Sequence, residues 1–506
     1  GSQTNELSGP DLRAGVPLEE LADRQPLLGH VDGEAAILVR LDDDVVAIGA
    51  TCTHYSGPLG EGIVTGDVIR CPWHHACFAL RTGEVAAPPA LASLPSWRTE
   101  VRNGRVYVGE RIETTTQRKA PAGGPQSIVI VGAGAAGMIA AETLRSEGFT
   151  GRIALVDPDA DAPYDRPNLS KDFLAGNAPE EWLRLRNAEF YAEQKIDRIV
   201  AGVTAIEAKQ RVATLSDGRK LNYDALLLAT GATPVRLPIP GADLPHVHVL
   251  RTITDCMRLI DTFEGKPKVV IAGASFIGME VAASIRNRGL AVTVVAPEQV
   301  PFDRVLGAEL GRLLHARHES NGVEFRLGHT LKEITKQAVS LDNGERIDAD
   351  VVVLGVGVRP ALTLAEQAGL TVDKGVVVNE YLESSISHIF AAGDIARFPD
   401  PRTGQPIRVE HWVVAQRQGQ VAARNMLGAR AAFDVIPFFW THQYDVTISY
   451  VGHAPKIDDV QIDGDPGKLD CKVSYLVGKQ VMAVATINRD RDALLAEIGF
   501  EEQAKT

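Results

Sequence analysis

The sequence predicts a multidomain chain: a small all-β domain first, then a long α/β region built on two glycine-turn units, then a small α+β domain. Three observations carry this prediction. Residues 13–109 read as short strands broken by turns, AAILVRLDDDVVAIGA and GRVYVGE among them. From residue 127 apolar strands alternate with amphipathic helices, and glycine-rich turns follow the strands at 127–131 and 268–272. From about Pro437 strand-like runs return (DVTISYVG, CKVSYLVG, QVMAVATI) and close in a short helix.

Length and composition bound what such a chain can do. A length of 506 residues suits several domains, and 45% apolar with 23% charged residues is ordinary globular composition. A net charge of −13 with no basic block argues against a nucleic-acid partner. No apolar run reaches the length of a membrane span, and no secretory-type leader is evident. Five cysteines do not make a disulfide framework, so a reducing compartment, the cytoplasm, is expected. Gly1-Ser2 reads as the remnant of a tag.

In the first domain, expected over 5–110, Cys52-Thr-His54 and Cys71-Pro-Trp-His74 are separated by residues 55–70. Two thiolates and two imidazoles at this spacing suit a [2Fe–2S] cluster of Rieske type, with two cysteines on one iron and two histidines on the other. They also suit tetrahedral zinc, although zinc ribbons more often use Cys-x-x-Cys halves. Gly57, Pro58, Gly60, Gly62 and Pro72 supply the turn chemistry that puts the ligands on loop tips. His75 follows the second histidine and either points outward or packs near the metal site and tunes it. Cys77 reads as a packed free thiol. The polar stretch 111–126, which contains IETTTQRKAPAGGPQ, is the expected linker. Its length permits the flanking domains to meet within one chain or across a homodimer.

The α/β region divides into 127–245, 246–366 and 367–436, with 437–506 as the last domain. Ser127–Val131 is a short strand, followed by Gly132-Ala-Gly134-Ala135-Ala136-Gly137 and a helix. The first glycine permits a tight turn, the second lets backbone approach a pyrophosphate, and the third lets helix pack on strand. The next strand ends at Asp157, with Asp159 just after; either carboxylate suits the ribose hydroxyls of an adenosine. The pattern recurs in KVVIAGASFIGMEVAASIRNRGLAVTVV, where Gly273, Ser275 and Gly278 take the three positions, Phe276 and Ile277 open the helix, and Glu280 follows. Gly357 is counted with this second site. His315 and His318 fall in AELGRLLHARHESNGV, which reads as a solvated amphipathic helix and not as a metal site.

These segments resemble established loops and motifs. CTHYSGPLGEG and CPWHHACF are similar to Rieske loops, of the oxygenase-ferredoxin kind: the extra cysteines of respiratory Rieske proteins are replaced by Gly57 and Trp73. Ala229-Thr230-Gly231 and Ile389-Phe-Ala-Ala-Gly393-Asp394 resemble the crossing motif and the second flavin motif of two-dinucleotide reductases. Together with PYDRPNLSK (Arg166, Lys171) and VEHW (Glu410, Trp412), they make residues 127–506 similar to the FAD-dependent pyridine-nucleotide reductases, glutathione-reductase-like in fold. With the Rieske domain in front, the chain most resembles Rieske-containing apoptosis-inducing-factor-like proteins and oxygenase-type ferredoxin reductases.

The resemblance implies FAD at the first fingerprint, with Asp394 on the ribityl chain, and NAD(P)H at the second. It implies that Lys171 pairs with Glu280 beside the reactive flavin nitrogen, and that Trp412 packs on the flavin. No Cys-x4-Cys pair stands by the flavin as in disulfide reductases; Cys77 and Cys256 are isolated. The implied function is transfer of electrons from NAD(P)H through FAD to the chain's own cluster and on to an oxygenase, cytochrome P450 or ferredoxin. The competing implication is an NADH-sensing interaction protein of apoptosis-inducing-factor type with slow turnover. NADH is favoured as donor: Ala296 and Pro297 are followed by Glu298, and no arginine stands there to receive a 2′-phosphate.

Overall fold

A computed structural model describes residues 7–113 and 116–505. Gly1-Ser2, the first two residues of the expected N-terminal domain and residues 114–115 of the expected linker lie outside the described residues. By its contacts the chain divides into two units: Gly1–Ala120 with Ser146–Gly148 and Asp490–Thr506, and Pro121–Arg145 with Phe149–Arg489. Residues 490–506, expected at the end of the last domain, therefore group with the N-terminal unit. The strand Arg105–Ile112 also runs into the first residues of the stretch expected as linker.

In the first unit, six antiparallel strands form a sheet in the order Val16–Pro17, Arg105–Ile112, Ser96–Arg102, Asp44–Gly49, Glu34–Leu41, Leu27–Val31. A second sheet holds Ile63–Thr65, Val68–Arg70, Cys77–Ala79 and Val85–Ala87. The run EAAILVRL is apolar on both faces because it separates two cores. Ile37, Val39 and Leu41 pack in one core with Ile48, Cys52, Cys71 and Phe78. Ala36 and Leu38 pack in the other with Leu12, Val45 and Trp97. The first cysteine-bearing loop thus leaves a strand, Asp44–Gly49, that packs into both cores, and the second leaves strands that place Ile69 and Phe78 in the first core.

The second unit contains two parallel five-stranded sheets. The first has the order Ile196–Val200, Arg152–Asp157, Ser127–Val131, Ala225–Leu228, Ile389–Ala391. The other has Val247–His248, Val351–Leu354, Val269–Ala272, Val292–Ala296, Glu324–Leu327. Strands buried on both faces need continuous apolar runs, which VVIA and ALLL supply. In each sheet the strand that leads into the glycine turn lies centrally, where the strand order reverses. The crevice beyond its C-terminal end is where α/β sheets bind ligands. An antiparallel sheet follows in the order Phe438–Gln443, Val446–Gly452, Gln480–Ile487, Asp470–Val477, Asp459–Asp465. Among the described residues, no helix is long and apolar enough to cross a membrane.

The helix Asp303–Ser320 departs from the solvated expectation. Leu306, Leu310, Leu314 and His318 form its buried stripe, and His318 is fully buried. Its Nε2 meets Gln443 Oε1 at 2.9 Å and its Nδ1 meets the Tyr444 hydroxyl at 3.3 Å. The sequence carries no signal for these partners, since both arrive from a strand hairpin more than a hundred residues away. Burial pushes the His318 imidazole down to about 4. Unfolded chain takes up a proton near pH 6.5 that the folded chain refuses until about pH 4, so this site's contribution to stability falls as pH drops through that window. Urea unfolding at pH 7 and pH 5 measures it, and His318→Gln is expected to flatten the difference.

Candidate functional sites: cluster loops and nucleotide cavity

The first metal-ligand loop leaves the strand Asp44–Gly49, and the second joins Val68–Arg70 to Cys77–Ala79. Each closes on itself. Cys52 N donates to Gly57 O (2.9 Å) and Ser56 N to Cys52 O (3.0 Å); Cys71 N donates to Ala76 O (2.8 Å) and His75 N to Cys71 O (3.1 Å). Both thiols are buried, while His54 and His74 are only partly covered, with ring centroids 5.0 Å apart and planes perpendicular. The four residues singled out by spacing are thus brought to adjoining loop tips. None of the five cysteines forms a disulfide.

The donor set fits a two-iron cluster. A [2Fe–2S] centre asks for only two protein ligands on each iron. Burial pushes His54 down to about 3, which keeps it in the neutral form that ligates metal. A Cβ on Gly57 would lie 2.5 Å from Cys71 Sγ, so this position has to remain glycine. Gly57→Ala is accordingly expected to fold without retaining iron, measured as iron and acid-labile sulfide per chain. His75 does not point outward: it is fully buried, at φ +62°. That left-handed conformation costs a residue with a Cβ about 1–2 kcal/mol, so its side chain has to be held in place.

In the second unit, the turn after Ser127–Val131 shows what each glycine does. Gly132 has φ +105°, and a Cβ there would collide with Ala229 O; one on Gly137 would collide with Gly132 O. At Gly134 the nearest atom to an added Cβ is an Arg166 nitrogen at 3.6 Å, leaving a space over the helix N-terminus. Gly419, on the helix Trp412–Met426, approaches so closely that a Cβ would collide with Ala136 O, and Gly393 leaves an added Cβ 3.3 Å from Ala136. The small residues at 135 and 136 therefore let Gly393 and the helix Trp412–Met426 close on the first glycine turn. Gly137→Ala is expected to unfold the turn, whereas Gly134→Ala is expected to keep the melting temperature and weaken FAD binding. Thermal melts with and without added FAD separate the two.

A cavity of about 520 Å³ gathers Gly134, Ala135, Ala136, Arg166, Lys171, Ala229, Gly231, Phe276, Ile277, Glu280, Gly393, Asp394, Glu410 and Trp412. Its lining contains no cysteine. Residues not anticipated from sequence join it: Arg251, Arg408, His411, Trp440 and His453 among them. Arg251 donates to Asp394 Oδ2 at 3.1 Å, Arg408 to Asp394 O at 2.9 Å and to Glu410 at 2.8 Å. Burial first, and the charge of Arg166 second, push Arg251 down, so an anion between the two guanidinium groups would relieve both. Arg166 Nε and His411 Nδ1 are buried without a hydrogen-bond partner among the described residues. Unsatisfied buried polar atoms beside a glycine turn at a helix start fit a bound dinucleotide.

The carboxylates at 157 and 159 have other partners and do not line this cavity. Asp157 accepts from Ala133 N (2.6 Å) and Asp159 N (2.8 Å), tying the glycine turn to the next strand. Asp159 accepts from Tyr164 OH, which in turn accepts from Ile253 N. Thr230 carries its hydroxyl 3.5 Å from Ala361 O, away from the lining.

Lys171 Nζ lies 2.9 Å from Glu280 Oε2 and also donates to Pro167 O. Glu280 is 5% exposed and receives Ser170 Oγ (2.6 Å) and Thr441 Oγ1 (2.8 Å) as well. Behind it Gln443 Nε2 donates to Thr441 Oγ1 at 3.0 Å. With His318 donating to Gln443 and Tyr444 to His318, every donor in this chain points towards Glu280. Aligned donors of this kind polarise one another and fix the carboxylate in place. Thr441→Val, which reverses none of the packing but removes the first donor, is expected to shift the flavin midpoint potential and leave cluster signals unchanged.

At the second fingerprint Gly273 has φ +105°, and added Cβ atoms at Gly273 and Gly278 would collide with Gly355 O and Gly273 O. Ser275 caps the helix Phe276–Asn287: its Oγ accepts from Gly278 N (3.2 Å) and donates to Gly355 O (2.8 Å). The serine side chain is thereby folded back into the turn. Glu298 is exposed after the strand Val292–Ala296, and Gly357 has φ +98° with open space around it.

Three families match the chain in succession. Rieske [2Fe-2S] domain covers residues 15–98, pyridine nucleotide-disulphide oxidoreductase 126–419, and reductase C-terminal 438–506. Apoptosis-inducing factor 3 of Homo sapiens is 36% identical over 475 residues, 90% of this chain and 78% of its own. Rhodocoxin reductase of Rhodococcus erythropolis is 36% identical over 377 residues, 73% of this chain and 88% of its own. The reductase in the covalent putidaredoxin reductase–putidaredoxin complex superposes with a TM-score of 0.72 at 33% identity, over 75% of this chain and 93% of that one.

Proposed function

Since this chain belongs to the pyridine nucleotide-disulphide oxidoreductase family and carries a Rieske [2Fe-2S] domain, we propose that it passes electrons from NADH through FAD to its own cluster and on to an external redox protein. An oxygenase, a cytochrome P450 or a ferredoxin is the class of acceptor, consistent with the relatives named as ferredoxin reductases of dioxygenase systems. It is an NAD(P)H-dependent oxidoreductase using FAD and a [2Fe–2S] centre. The observation that carries the reading is the cavity that joins the first glycine turn to the Lys171–Glu280 pair with no cysteine in its wall. A reductase without a dithiol beside its flavin has to deliver electrons elsewhere.

The roles of the chain's residues follow from their positions. Gly132, Gly134, Ala135, Ala136 and Gly137 form the turn for the FAD pyrophosphate, with Arg166 and Arg251 as counter-charges. Asp394, steadied by Arg251, and Gly393 are suited to the ribityl segment. Ala229, Thr230 and Gly231 form the crossing. Flavin accepts a pair of electrons and releases them singly, which is the conversion a one-electron centre requires. Lys171 and Glu280 orient and bias the ring site as a fixed ion pair, Trp412 covers it, and Phe276 and Ile277 hold the nicotinamide side. Gly273, Ser275, Gly278 and Gly357 shape the nucleotide turn, and Glu298 repels a 2′-phosphate, favouring NADH. Cys52 and Cys71 hold one iron, His54 and His74 the other, with the partly exposed imidazoles as the exit edge.

The test is an anaerobic NADH titration followed by optical and electron paramagnetic resonance spectra. Bleached flavin together with a reduced Rieske signal supports the internal route. Bleached flavin beside an oxidised cluster counts against it and favours the NADH-sensing reading, which the similarity to apoptosis-inducing factor 3 over 90% of the chain keeps in view.

A further inference from the structure

The terminal helix Asp490–Ala504 reaches both ends of the second ligand loop. Arg70, the residue before Cys71, donates to the two oxygens of Glu501 at 2.8 and 2.7 Å and to Glu497 Oε2 at 3.1 Å. His75, the residue after His74, places Nδ1 3.1 Å from the same Glu497 oxygen. Glu497 and His75 are both fully buried. Positions 497 and 501 are one helical turn apart, so a single face presents both carboxylates.

None of this is required by the four ligands, which are complete without it. A fully buried carboxylate is strongly disfavoured unless paired, and two of its partners here are the residues that bracket Cys71–His74. The turn between them is closed by Cys71 N to Ala76 O, and Cys77 Sγ meets His75 O at 3.4 Å behind it. Moving Glu497 therefore removes one contact at each end of the ligand loop at once, while Glu501 still holds Arg70.

We infer that Glu497 is a positioning residue for the cluster: through His75 and Arg70 the terminal helix holds the second ligand loop in its ligating shape and sets the charge beside it. The inference rests on the [2Fe–2S] reading of the four ligands.

The experiment compares full-length wild type, Glu497→Gln and Glu497→Ala. Two properties are read: iron and acid-labile sulfide retained under a chelator, and the cluster midpoint potential by redox titration with electron paramagnetic resonance. Glu497→Gln preserves shape and removes charge. It is expected to bind a full cluster that titrates at a more positive potential, because reduction adds negative charge that the carboxylate no longer opposes. Glu497→Ala leaves Arg70 and His75 an acceptor short and is expected to lose iron roughly tenfold faster. A wild-type potential in Glu497→Gln overturns the inference, even if Glu497→Ala fails to fold. So does wild-type iron retention in a folded Glu497→Ala. A wild-type chain without any [2Fe–2S] signal overturns the ligand assignment, and the inference falls with it.

Discussion

His74→Ala is expected to abolish the Rieske signal and NADH-dependent reduction of cytochrome c while leaving bleaching of the flavin by NADH intact. The reasoning is geometric. His74 is one of two imidazoles at the tips of loops whose thiols are buried, and removing it leaves one iron with a single protein ligand. The nucleotide cavity shares no lining residue with these loops, so its chemistry has no reason to change. Rapid-mixing absorbance at the flavin band and a steady-state cytochrome c assay read the two halves separately. Undiminished cytochrome c reduction would mean that electrons leave from the flavin directly, and the internal route would be abandoned.

The second large effect belongs to the Lys171–Glu280 pair. Glu280→Ala strips a buried ammonium of its carboxylate, a change that costs about 3–5 kcal/mol of stability when the partner charge stays behind. It also takes away the carboxylate to which Ser170 and Thr441 donate. The rate of flavin bleaching by NADH is expected to fall at least about tenfold, corresponding to some 1.4 kcal/mol on the barrier. Lys171→Met combined with Glu280→Leu separates the two effects. Apolar replacement of a buried pair restores stability, yet it cannot restore the field at the ring site. A double variant that recovers both melting temperature and rate would reduce the pair to a packing device.

The local features were legible because their requirements are local. A Cβ at Gly132 or Gly137 collides with backbone within the same turn or the adjoining strand end, so the glycine pattern announces itself in a few residues. The ligand spacing is likewise a property of two short loops, each closed by its own backbone hydrogen bonds. Asp157 and Asp159 were ambiguous in sequence, and the structure gives both to backbone and tyrosine partners. Arg251 had no signal at all, since a single arginine after a short strand becomes informative only when Asp394 comes to meet it. His318 was read as solvated because its helix is amphipathic in either case; the hairpin carrying Gln443 and Tyr444 covers the face that holds it.

From residue order alone came the class of each domain, the two glycine turns and the four expected metal ligands, because steric and coordination demands act over a few neighbouring residues. The third dimension decided which charges meet. Glu280 finds Ser170 from 110 residues away and Thr441 from 161, and Arg70 finds Glu497 from 427. A buried charge has to be paired wherever the chain's path delivers a partner. That path is set by packing of apolar faces over the whole fold, so no local pattern encodes the pairing.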